Sequence, residues 1–129
     1  MSFAGIQATV NLYTMEESSL TYQLSEMMMN LVRASSKTTE VGENYADIKA
    51  EINKNAKDNT SYDPTSDLAQ AKDNYELELA KMNEWETELE AKKQVIETDL
   101  KSTTSYKESF VSMLKQNVQK DFKYAQNGS

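Results

Sequence analysis

At 129 residues the chain has the length of one domain, and three glycines and one proline are too few backbone breakers for a turn-rich β fold. The absence of cysteine and histidine excludes disulfides, thiolate and imidazole chemistry, and nearly every zinc or haem ligand set. A formal charge of −7, from 21 acidic and 14 basic residues with Arg33 as the single arginine, argues against a nucleic-acid partner, because phosphate binding depends on clustered Lys and Arg.

The first predicted element is a helical arm over about 3–56. Met1 to Met15 carries no charged side chain, yet it lacks the basic start and continuous apolar block of a secretory signal, so no cleavable signal peptide is expected. No stretch approaches the roughly 18 apolar residues of a membrane span. These two expectations leave the cytoplasm or a non-classical export route. Within the arm, Phe3, Val10, Glu17, Leu24, Leu31, Thr38, Tyr45 and Ile52 recur every seven residues. Interleaved with them are Ile6, Tyr13, Leu20, Met27, Ala34, Val41, Ile48 and Asn55. With Ala and Tyr counted, 13 of these 16 positions are apolar, which marks the seam of a helix packed on a partner helix.

A turn is predicted at 57–63, polar and rich in turn formers, with a length usual for a helix-to-helix connection. The second arm follows over about 64–124: Asp63 can cap it, Pro64 suits its first position, and Asp67 places negative charge near the positive end of the helix dipole. Leu68, Tyr75, Met82, Leu89, Ile96, Thr103 and Phe110 repeat every seven residues. Ala71, Leu79, Trp85, Leu100 and Leu114 supply the second seam position, with a gap at Lys92 and Lys93. Residues 125–129 are expected to be a frayed tail.

Reversal of the chain within 57–63 keeps the two seams in register along their whole length. It sets Ile52 against Leu68, Tyr45 against Tyr75, Leu31 against Leu89, Leu24 against Ile96, Leu20 against Leu100 and Val10 against Phe110. Ala34 falls opposite Trp85, the volume alternation a packed interface needs, and Glu17 falls opposite Thr103. The expected fold is therefore all-α: a long antiparallel two-helix hairpin, coiled-coil-like, with both termini at one end. Helix propensity is weak at Ser35-Ser36-Lys37-Thr38-Thr39 with Gly42, and at Ser102-Thr103-Thr104-Ser105, so breaks are expected near 35–42 and 102–105. Thr14 with Glu17, and Ser105 with Glu108, also match the capping-box pattern, which would start helices near 15 and 106 instead.

The intramolecular seam is expected to comprise Leu20, Leu24, Met27, Leu31, Ala34, Tyr45, Ile48, Ile52, Leu68, Tyr75, Leu79, Met82, Trp85, Leu89, Ile96, Leu100, Phe110 and Leu114. Trp85 and Met27, conspicuous by type, are thereby assigned to packing. Apolar residues in excess of one seam remain: Leu12, Met15, Tyr22, Met28, Met29 and Val32 on the first arm, and Val111, Met113, Val118, Phe122 and Tyr124, with Tyr106, on the second. An apolar surplus on several sides of a helix signals more than one packing neighbour, so these residues are expected to form a self-association surface. Residues 1–32 hold three acids and no base, whereas residues 102–129 hold four lysines and two acids, which makes the terminal segments complementary in charge.

No catalytic residue, cofactor or metal ion is expected. Glu84, Glu86, Glu88 and Glu90 scatter around a helix instead of converging, and Gly5, Gly42 and Gly128 are isolated, so neither acid/base machinery nor a phosphate loop is present. What the sequence supports is a non-enzymatic structural or assembly protein acting by helix packing, a homo-oligomer in the form of a filament or bundle. The alternative is a coiled-coil adaptor or chaperone that binds a partner helix through its exposed Met, Tyr and Phe side chains.

A charge-poor start, a helix, a turn containing Asp63-Pro64 and a second helix resemble the layout of the needle and axial subunits exported by type III secretion and flagellar systems. The resemblance covers most of the chain as an arrangement, without a specific motif, and this chain is longer than a typical needle subunit. It implies assembly into helical filaments through terminal helices. Small secreted hairpins with a Trp-x-Gly turn are a poorer match, since Trp85-Glu86-Thr87 lacks the glycine and lies within the second arm.

Overall fold

A computed structural model describes residues 2–127, with side chains through residue 123. It consists of α1 (Phe3–Asp58, 56 residues) and α2 (Thr65–Asn127, 63 residues), which pack against each other as an all-α helical hairpin. Neither helix is long and apolar enough to cross a membrane among the described residues. The chain divides into two compact units: a terminal unit, Met1–Glu26 with Lys93–Ser129, and a middle unit, Met27–Lys92.

Local chemistry sets the helix ends. Ser2 caps α1, its Oγ accepting the Gly5 N–H at 3.1 Å. At the turn, the Asn59 carboxamide oxygen accepts both the backbone N–H and the hydroxyl of Ser61, at 3.1 and 2.7 Å. This is the local side-chain bonding that favours Asn in turns. Asp63 then caps α2, its Oδ1 accepting the Thr65 N–H and hydroxyl at 3.0 and 2.7 Å, while the Pro64 carbonyl takes the Leu68 N–H at 2.9 Å. These two bonds to Thr65, the backbone one first, hold the Asp63 carboxyl below its ordinary range. Tyr62 closes the turn from outside by donating its hydroxyl to Asp67, a bond that raises the phenol above its usual value.

Three expectations are corrected. First, both helices run unbroken through 35–42 and 102–105. In the first stretch Thr38 and Thr39 bond back to the Ala34 and Ser35 carbonyls at 3.0 and 3.2 Å, bonds that satisfy the hydroxyls within the helix at a slight cost in its stability. In the second, Thr103 is buried and Thr104 donates across to α1, so tertiary packing overrides propensity. Second, the capping-box residues serve other partners. Thr14 donates to the Val10 carbonyl at 2.9 Å and Glu17 bonds to α2, while Ser105 and Glu108 lie within the continuous α2. Third, α1 extends to Asp58 and α2 through Asn127, so residues 125–127 of the expected tail are helical, and 128–129 lie outside the described residues.

Each unit has its own small core. In the middle unit Ala34 and Leu89 are buried, and the rings of Tyr45 and Tyr75 stack at 4.4 Å with 9° between planes, which is the pairing read from the sequence register. Lys49 Nζ lies 4.7 Å from the Tyr45 ring centroid, adding a cation–π contact. In the terminal unit Ile6 and Val10 are buried, and Tyr13 packs against Phe110 and Tyr106 at centroid distances of 5.7 and 6.0 Å.

Candidate interaction surface

Of the eighteen seam residues, Ala34 and Leu89 are buried and fifteen are half-buried: Leu20, Leu24, Met27, Leu31, Tyr45, Ile52, Leu68, Tyr75, Leu79, Met82, Trp85, Ile96, Leu100, Phe110 and Leu114. Ile48 departs from this placement at 47 % exposed, and Gly42 and Ala56 are half-buried instead.

The seam carries one polar rung in each unit. In the terminal unit, Glu17 accepts from Lys107 Nζ at 2.8 Å and from the Thr104 hydroxyl at 2.8 Å. Lys107 first and Thr104 second hold the Glu17 carboxyl below its ordinary range. In the middle unit the Thr38 hydroxyl lies 3.2 Å from a Glu86 carboxylate oxygen and shares its one proton between that acceptor and the Ala34 carbonyl. The sequence reading placed Glu17 opposite Thr103 and passed over Lys107 and Glu86. The available signal was the heptad itself, since Lys107 lies seven residues from both Leu100 and Leu114, and Glu86 lies seven from Leu79.

Apart from Tyr106, which stacks on Tyr13 while 57 % exposed, the surplus apolar residues lie outside these cores. Leu12, Met15 and Tyr22 on α1 are 65, 69 and 66 % exposed, and Met113, Val118 and Phe122 on α2 are 40, 50 and 68 % exposed, all in the terminal unit. Met28, Met29 and Val32, in the middle unit, are exposed as well and line a shallow depression with Arg33. Val111 is half-buried, and the Tyr124 side chain lies outside the described residues. Leu77 and Val95 are exposed apolar residues that the sequence reading did not single out.

A groove of about 360 Å³ opens beside the stacked tyrosines of the middle unit, lined by Val41, Ile48, Ile52 and Ala71 together with Asp67 and Glu78. Among the described residues no group of three or more acidic side chains converges as a metal site would require. Comparison with known proteins finds no matching family model, no matching curated sequence and no matching solved structure.

Proposed function

We propose that the protein is a non-enzymatic assembly subunit that acts by helix packing, with its terminal unit supplying the contacts between copies. The observation that carries this reading is the concentration of large, solvent-facing apolar side chains on both helices of that unit, Leu12, Met15 and Tyr22 on α1 and Val118 and Phe122 on α2. Water contact with so much apolar surface is unfavourable by roughly 25 cal/mol per Å², and a neighbouring copy removes it. A filament is the form implied by the resemblance to exported needle and axial subunits. Light scattering against concentration, followed by electron microscopy, tests the reading: mass should grow with concentration, and a concentration-independent monomer overturns it.

A second reading rests on Met28, Met29 and Val32, which are 52, 57 and 70 % exposed in the middle unit. Methionine is flexible and polarizable, a surface suited to an amphipathic partner helix, as in an adaptor or chaperone. A species of fixed mass that binds such a peptide would favour this reading over assembly.

A further inference from the structure

Apart from Phe3, the large exposed apolar residues of α1 in the terminal unit share one face. Ala8, Leu12, Met15, Ser19 and Tyr22, all exposed, follow alternating steps of four and three residues without a skip. That is the spacing of a helix-packing seam. It lies on the face away from the intramolecular seam, to which the buried Ile6 and Val10 belong, and Leu12, Met15 and Tyr22 on it are all at least 65 % exposed. α1 therefore carries two seams on opposite faces, of which one is covered. The next step along the open seam is Glu26, and Glu16 flanks it; no base occurs on α1 before Arg33.

On α2 the terminal unit presents a face of complementary charge. Val111, Lys115, Val118 and Phe122 follow steps of four, three and four, with Lys123 next to Phe122. Lys115 and Lys123 are exposed, and Val118 and Phe122 are 50 and 68 % exposed. Glu108, one turn before Val111, and Asp121, beside Phe122, are the acids of residues 108–123, against Lys115, Lys120 and Lys123.

We propose that the open seam of α1, Ala8 to Tyr22, docks on the Val111–Phe122 face of α2 in a second copy of this chain. This rests on the self-assembly reading and deepens it, because apolar seam meets apolar face while Glu16 and Glu26 meet Lys115 and Lys123. A seam meeting its own copy would set acids against acids. The contact joins two different surfaces, so each copy keeps one donor and one acceptor face after docking, and assembly continues into a ring or an open polymer.

The test uses two full-length variants followed by light scattering and analytical ultracentrifugation. Met15→Lys with Tyr22→Lys breaks the α1 seam, and Val118→Glu with Phe122→Glu breaks the α2 face. Each alone should stay at monomer mass, and their equimolar mixture should give a capped species of twice that mass, since each retains the face the other lacks. A mixture that stays monomeric, or either variant growing alone as the wild type does, overturns the docking while leaving self-assembly standing. Wild type that stays monomeric at every concentration overturns both. Circular dichroism verifies that helicity is kept; where a charged pair loses it, the glutamine versions of the same pairs give the same readout.

Discussion

The terminal and middle units are cut from the same two helices and differ in what they leave exposed. The middle unit, residues 27–92, holds 14 acids against eight bases, whereas the terminal unit, residues 1–26 with 93–129, holds seven against six. Strong like charge keeps surfaces apart, and near-neutral surface with exposed apolar side chains associates. The middle unit stacks Tyr45 on Tyr75 and buries Leu89. The terminal unit buries Ile6 and Val10, fixes its seam with the ionic rung at Glu17, and keeps Met15, Tyr22 and Phe122 at the surface. One heptad pattern thus yields two regions that both leave apolar side chains at the surface, the middle one (Met28, Met29, Val32) under a strong negative charge and the terminal one near neutrality.

The largest effect that bears on this contrast is expected from Leu89→Ala. Leu89 is 5 % exposed, and truncating a buried leucine costs about 2–5 kcal/mol through lost transfer energy and the cavity left behind. If the two units are separate cooperative regions, hydrogen exchange should accelerate across 27–92 more than across 1–26 and 93–127. Ile6→Ala, removing a side chain 1 % exposed, should show the reverse distribution. Uniform acceleration in both variants would dissolve the distinction.

The fold was legible in the sequence because two seven-residue repeats of apolar residues, separated by one polar turn with Asp63-Pro64, admit few arrangements. The register was legible for the same reason, down to Tyr45 on Tyr75. Helix continuity was not. Ser and Thr propensity is a weak prior that tertiary contacts override, here through Thr104 on Glu17 and the burial of Thr103. The polar rungs were missed because an apolar pattern passes over Lys107 and Glu86, and each bonds to a polar position of the seam on the other helix. As for the candidate surface, composition could nominate residues, but only their exposure distinguishes Val111, half-buried, from Val118.

The rung at Glu17 gives the terminal unit a pH dependence. Its carboxyl is held below the ordinary range by Lys107 and Thr104, so the folded state favours the ionised form. That stabilisation is fully present above the unfolded carboxylate value of roughly 4.3 and is lost as pH falls through the lower folded value. Asp63, at the start of α2, acts with the same sign. Thermal melts should therefore hold from neutral pH down to roughly 4.3 and drop as the pH falls further, and Glu17→Gln should lower the melt at neutral pH while flattening the drop. A drop of wild-type steepness in Glu17→Gln would assign the acid sensitivity to Asp63 and the middle unit instead.

The smallest effect has the opposite sign and concerns the middle unit. Gly42 sits deep inside α1 without a positive φ, and a Cβ built there meets nothing within 4 Å. The glycine therefore serves neither a turn nor a close approach, and it carries the full entropic cost of an ordered helix interior. Gly42→Ala should stabilise the protein by about 0.5–1 kcal/mol, read as a higher denaturation midpoint at unchanged slope. Because the added methyl touches no neighbour, the gain should appear in exchange protection around residue 42 and leave the concentration dependence of mass untouched. A shift in that dependence would mean that the surface around Gly42 takes part in assembly, and the proposed assignment of the contacts between copies to the terminal unit would have to be redrawn.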